Sequence, residues 1–491
     1  MHPRWPWRRV LSTLGAVIAI TTSGCQPVED AITPDAERLD ATPPSDMAPG
    51  RPDFFVAVDS DVPPRDDAAD LPDADLPDAE MPDLEIPDAD LPDAAPPSPV
   101  DVACPRAWID LDDAAPRSCN GRRVHTLDPG FDVNSVAIAR SENGKLVFGW
   151  DVTDFADSGN YLVRVVNADD LTRVVEHTIA PVSAFGELAG YRSALGVIRE
   201  SFHLVTWNSS DFGGSISHRE IRPDGVLTEA SPIDDLVGRQ GSLDMVIDPS
   251  GVIHVAWHDT ATGQFKISTR EEPGAPWSDP FEFDTDLDME HGGDGAIAVD
   301  VDPDERLHVA YQLTLSRFGA APRARSLLGD QWTLRQTLDN FANARVSGIG
   351  LDIVALEEER VGIYLDWLAG TGEIRLVRWR NGEAEPQVEI LEPGLPLEEP
   401  PARYPMAMAA DDEGLLHVVM LNVGGQGVNT LEYRRQVRID GRVRWLTDVI
   451  DDDVESSGLA VDMVLDPALR VPHVIFYDPR NGFHAYATVE F

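Results

Sequence analysis

The chain has 491 residues, of which 42% are hydrophobic and only 3 are cysteine, so it is long enough and apolar enough to bury a sizeable core. Its 86 acidic residues against 39 basic ones give a formal net charge of −47. That charge repels polyanions at long range, and no nucleic-acid partner is expected.

Residues 1–24 read as an export signal. Arg4, Arg8 and Arg9 make a basic n-region, Val10 to Ile20 an apolar h-region, and small residues follow at Ser23 and Gly24. The apolar run is too short to span a bilayer as a helix. Cys25 comes next in TTSGCQ, a placement that resembles a bacterial lipobox, although Thr22 stands where leucine is usual. The resemblance implies lipidation of Cys25, which becomes the mature N-terminus; the alternative is a plain signal peptide cleaved nearby. Several acyl chains on one cysteine hold a protein stably on a membrane. The expected address is the bacterial cell envelope, exported and membrane-anchored, on the periplasmic face or the cell surface.

Residues 25–103 form a linker of Pro, Asp and Ala with little to bury. Its centre repeats every five residues, LPDAD, LPDAE, MPDLE, IPDAD and LPDAA, from Leu71 to Ala95. From Gln26 to Ala103 there are 22 acidic and 3 basic residues, so self-repulsion and proline stiffness predict a disordered, extended stalk. Fully stretched as polyproline II it would reach on the order of 200 Å. Cys104 and Cys119 then flank a short loop. In an oxidising compartment that pair predicts a disulfide, contributing roughly 3 kcal/mol on the chain-entropy model.

From residue 104 to 491 one phrase returns. Aligned on the His of HVAW, the copies centre on Leu146, His203, His254, His308, Val361, His417 and His473, in LVFGWD, HLVTWN, HVAWHD, HVAYQL, VGIYLD, HVVMLN and HVIFYD. Spacings of about 51 to 57 residues belong to solenoids, propellers and arrays. Each copy holds an apolar run, a polar turn such as DPSG or DDEG, the HVAW-type run, a third run such as FKISTR, and a fourth often holding Trp, as at Trp277, Trp332 and Trp445. Four short strands per copy read as a propeller blade, and no long 3.6-residue periodicity supports helical repeats. The seventh copy has three clear runs, while an orphan run, RRVHTL at 122–127, precedes the first. The predicted architecture is an all-β, seven-bladed β-propeller in which that N-terminal strand closes the last blade.

HVAWHD with FKISTR, and HVIFYD with FHAYA, resemble the sialidase-like propeller repeats of bacterial secreted surface lipoproteins. The resemblance covers residues 121–491. It implies the fold, whereas true sialidases also carry Asp boxes of the form S-x-D-x-G-x-x-W, an arginine triad and a Tyr with a Glu partner. Here D-x-x-G turns such as Asp248 to Gly251 fall between the first and second strands, where an Asp box does not belong.

The aligned histidines are expected to bond backbone groups between blades rather than to hold a metal, because equivalent positions in a ring stand far apart. Five places on come Asp151, Asn208, Asp259, Asp366, Asn422 and Asp478, with Leu313 as the exception. These read as turn-makers, with Asp259, Asp366 and Asp478 kept as candidate ligand-binding residues because all would emerge on one face. On that face Arg192, Arg239, Arg345 and Arg403 precede the inner strands. Arginine suits bidentate capture of carboxylate or phosphate; the alternative is counter-charge for neighbouring acids. Asp284, Asp286 and Asp288 in FDTDLDMEHGGDG alternate as calcium ligands do, but the residues after Asp288 miss the known loop pattern, so no cofactor is expected and calcium stays an open alternative.

No nucleophile elbow, metalloprotease motif or P-loop occurs, and no cysteine is left for a thiol mechanism. The reading is therefore a surface-anchored lipoprotein whose propeller is a binding or scaffolding module for glycans or envelope proteins. The alternative is a glycoside hydrolase of sialidase-like type.

Overall fold

The computed structural model describes residues 117–119, 122–124, 135–153, 159–167, 173–179, 188–210, 213–238, 241–285, 296–316, 319–339, 345–368, 370–380, 385–397, 399–401, 403–424, 429–454, 460–466, 470–478 and 483–488. Among them every regular element is a strand, and after a short hairpin the strands make five sheets, the first and third of which each join two antiparallel groups through one parallel pairing, Gly159 with Leu188 and Ala320 with Val346; the antiparallel groups are numbered repeats 1 to 7 in chain order below. Cys25, Cys104, Arg239 and the 1–24 and 25–103 segments lie outside the described residues.

Repeat 3 shows the pattern. Its strands are Leu243–Ile247, Ile253–Asp259, Gln264–Arg270 and Phe281–Thr285, each paired antiparallel with the next. Burial peaks in the second strand and falls outward from it: Trp257 there is fully enclosed, while Phe281 in the fourth is half exposed. The second strand is covered by neighbouring repeats on both faces, so it reads as a continuous apolar run instead of alternating. The turn between the first two strands is set by Asp248, whose Oδ1 accepts from Val252 N at 2.8 Å and Ser250 Oγ at 2.7 Å. Gly251 follows at φ +95°, a conformation that costs glycine little. Asp411 with Gly414 (φ +71°) repeats the device in repeat 6. These D-x-x-G turns fall between first and second strands, as expected.

The first strands are Val136–Arg140, Leu188–Ile198, Leu243–Ile247, Ile297–Val301, Arg345–Ala355, Met406–Ala410 and Ala460–Asp466. Each packs against the next, and that of repeat 7 packs against that of repeat 1. The second strands are Lys145–Thr153, Ser201–Ser210, Ile253–Asp259, Leu307–Ser316, Arg360–Leu368, Leu416–Val423 and Val471–Asp478. Apolar clusters fill the spaces between repeats: one joins Phe148 and Trp150 of repeat 1 to Ile475, Tyr477 and Tyr486 of repeat 7. In repeat 7, Phe483–Thr488 is the last described strand. Residues 122–127 were expected beside it. Of these, Arg122–Val124 pairs with Arg117–Cys119.

Candidate functional site: a carboxylate-lined channel

All seven first strands contribute walls to one channel of about 1130 Å³. Most of its lining residues are Ala, Val, Ile, Leu and Met, although more of its exposed surface is polar than apolar, and it reaches the charged first-to-second-strand turns at Glu357 and Asp411. Four aspartates break that apolar wall: Asp244, Asp300, Asp352 and Asp462. Each carboxylate accepts two backbone N–H groups. One comes from the following residue: Met245, Val301, Ile353 and Met463 respectively, at 2.7 to 2.8 Å. The other belongs to the first strand of the next repeat: Val299 N to Asp244 at 2.8 Å, Ala355 N to Asp300 at 2.7 Å, and Met408 N to Asp352 at 2.6 Å. For Asp462 the next repeat is repeat 1, through Ile138 N at 2.9 Å.

Enclosure in the channel wall outweighs those amides and pushes the carboxyls up, Asp244 to about 6, Asp300 to about 7 and Asp462 to about 7. Asp352 is raised well above the usual carboxylate range, by burial and then by the Asp244 charge. The channel thus holds carboxyls whose titration is moved up toward neutrality, yet whose oxygens are already committed to bracing adjacent strands.

The aligned histidines form an outer layer. His308 Nδ1 meets Ser326 Oγ at 2.7 Å, and its Nε2 lies 3.1 Å from Asp302 Oδ2. Arg360, from repeat 5, reaches the same Asp302 at 3.2 Å. His417 and His473 meet Tyr433 Oη at 2.5 Å and Tyr486 Oη at 2.6 Å, and His203 meets His218 at 3.0 Å. The expected backbone partners are corrected: in these repeats the ring bonds a side chain on the third strand, because that strand lies directly alongside. Burial drives the histidines toward the neutral form, with His203, His308 and His473 down at about 4.

Of the residues five places on, Asp259 is fully enclosed. Its Oδ1 accepts from Gly238 N at 2.9 Å and Ala261 N at 3.0 Å, and its Oδ2 from Thr262 Oγ1 at 2.7 Å and Lys266 Nζ at 2.8 Å. Asp366 lies 3.0 Å from Arg375 Nη2. Both carboxylates hold a cation of the third strand. The Asp478 and Arg345 side chains lie outside what is described; their backbones end a second strand and begin a first strand. Arg192 does not precede its first strand as expected but lies within it, in Leu188–Ile198, because pairing starts earlier there, at Leu188 with Ser209; Arg403 does precede Met406–Ala410, and both are half-buried and line no part of the channel. Asp284 accepts from Tyr311 Oη and from Arg335, while Asp286 and Asp288 lie outside the described residues.

The channel aspartates were missed by sequence reasoning, although SLDMVI, AVDV, GLDIV and AVDMV each display an Asp inside an apolar run. No protein-family model matches the chain, and no curated protein matches it. Among solved structures, a polysaccharide lyase, an ulvan lyase, is similar at a TM-score of 0.51 and 10% identity, covering 74% of this chain and 96% of its own. The likeness is one of fold. It is the β-propeller that the repeat pattern predicts. A Hadza microbial sialidase matches at 0.43 and 11% identity, with 76% and 69% covered. The lectin of Aleuria aurantia matches at 0.38 and 12%, with 68% and 99% covered.

Proposed function

We propose that this chain is an exported lipoprotein, anchored through Cys25 and held off its membrane by the acidic stalk, whose propeller binds glycans or envelope proteins. In this reading the ring has seven blades, residues 122–127 complete the last one, and a Cys104–Cys119 disulfide lies beside that clasp. The observation that carries the binding reading is the double amide engagement of Asp244, Asp300, Asp352 and Asp462. A general acid or nucleophile needs its oxygen turned to substrate; these oxygens are turned to backbone. Solute recognition then falls to the opposite mouth, where Arg192, Arg239, Arg345 and Arg403 stand at or near the entries of first strands and suit carboxylate or sulfate groups. That the fold is shared with a polysaccharide lyase makes a glycan the first class to test.

The hydrolase reading draws on Asp300 and Asp462, whose raised carboxyls would suit an acid catalyst. One experiment separates the two. The full chain is applied to a glycan array and to envelope fractions, and released reducing sugar is measured in parallel. Retention without sugar release, lost in Arg192→Ala/Arg345→Ala, supports binding. Sugar release lost in Asp300→Asn supports the hydrolase, and retention unchanged in the double variant removes the arginine mouth.

A further inference from the structure

Repeats 3, 4 and 5 build the same pairing three times, and in repeat 4 it is incomplete. In register, Trp257 faces Lys266, Tyr311 faces Arg323, and Tyr364 faces Arg375. Two residues beyond the first member of each pair stand Asp259, Leu313 and Asp366. Lys266 is held by Asp259 at 2.8 Å and by Asp234 of the preceding repeat at 3.5 Å. Arg375 is held by Asp366 at 3.0 Å, by Glu373 at 2.5 Å and by Asp339 of the preceding repeat at 2.7 Å.

Arg323 has neither set. Leu313 stands in place of Asp366, and Ala321, which faces Leu313 as Glu373 faces Asp366, replaces the glutamate. The carboxylate from the preceding repeat, Asp284, is taken by Arg335 on both oxygens and by Tyr311. Arg323 is only 9% exposed, and its Nη1 is buried with no partner among the described residues. Arg325 stands two residues along the same strand, donating to Thr333 O and Phe283 O. Arg335 thus occupies the one carboxylate, Arg325 is spent on the backbone beside it, and Arg323 feels the charges of Arg335 and Asp284 without a contact to either, in a chain of net charge −47. A buried guanidinium nitrogen without an acceptor is costly, and a ligand oxyanion supplies what Asp366 and Glu373 supply one repeat later.

We propose that Arg323, flanked by Arg325 and Arg335 where repeat 4 meets repeat 3, is an oxyanion-binding site for a carboxylate or sulfate group. It is separate from the channel and from the arginines of the proposed mouth, so it stands whether or not those bind a glycan. Equilibrium dialysis of the full chain, at ionic strength fixed with chloride, tests it with inorganic sulfate, glucuronate and neutral glucose. One equivalent of sulfate or glucuronate that depends on Arg323 is expected, in addition to any taken by the mouth and retained in Arg192→Ala/Arg345→Ala, with no glucose. Arg323→Gln should weaken binding about tenfold, the loss of one charge-assisted hydrogen bond. Leu313→Asp should do the same by rebuilding the internal partner. Because Leu313 is fully buried, Arg335→Gln, on a partly exposed side chain, provides a second variant: it releases Asp284 to Arg323 and should also weaken binding. Circular dichroism melts establish that each variant folds. Tighter glucuronate than sulfate assigns the site to an acidic sugar, and the reverse order assigns it to a free inorganic anion. Binding equal in wild type and Arg323→Gln, or absent for both anions, overturns the proposal.

Discussion

Asp462 Oδ2 accepts the backbone N–H of Ile138 at 2.9 Å, across 324 residues of sequence. It is the last of four such contacts, and it joins the first strand of repeat 7 to that of repeat 1. Removing the carboxylate leaves two amides facing an apolar wall. Asp462→Ala should therefore destabilise the fold by about 2 kcal/mol, the cost of buried unsatisfied donors. Urea denaturation reads this directly, and a shift below about 0.5 kcal/mol would show that the seam does not depend on this side chain.

The Asp302, His308 and Arg360 network carries a larger expectation. All three side chains are almost wholly enclosed, and Arg360 comes from the neighbouring repeat. Taking away one member of a buried ion pair leaves the other charged and desolvated, typically costing about 3 kcal/mol or more. Arg360→Gln should lose that much in denaturant melts. A loss close to that of a surface Arg→Gln change would mean that Arg306, 3.7 Å from Asp302, suffices alone.

His484 gives the pH dependence its clearest sign. It is fully buried, its ring lies 4.9 Å from that of Tyr477 and 5.5 Å from that of Trp150, and neither ring nitrogen has a partner among the described residues. Burial pushes it down to about 3, against 6.5 in the unfolded chain. The unfolded state binds the extra proton, so the contribution is intact above pH 6.5 and is lost as pH falls toward 3. The expected loss is about 1.4 kcal/mol per pH unit. The raised Asp300 and Asp462 act in the opposite sense between about pH 4 and 7, so the test is differential. Stability of His484→Phe relative to wild type should rise as pH drops from 6.5 to 4. A pH-independent difference would place the proton on a group other than His484.

Much of this was legible in the chain because the repeat period, the D-x-x-G turns and the apolar second strands are local signals. The bracing aspartates were not. An Asp in SLDMVI looks like the wet side of a strand, and its defining partner, the amide of Val299, lies 55 residues away in the next repeat. The aligned histidines were visible as a column, yet their partners depend on strand register, which period alone does not supply. Leu313 was visible as the exception among the Asp and Asn column. Its consequence became readable only when Tyr311 was seen to face Arg323.

Asp259 separates a ligand role from a bracing role. Its two oxygens accept four hydrogen bonds from Gly238, Ala261, Thr262 and Lys266. Burial raises its carboxyl, but Lys266, Thr262 and the Gly238 amide outweigh that and hold it below the usual carboxylate range. A carboxylate so occupied stabilises the folded chain above its unfolded pKa, and that stability is lost as pH falls through the depressed value. Asp259→Ala should cost about 3 kcal/mol, since it strands Lys266 beside a single remaining acid, Asp234. Glycan-array retention, measured well below the melting temperature of the variant, should equal that of wild type. Lost retention with unchanged stability would make Asp259 a ligand contact instead, on the same face as the arginine mouth.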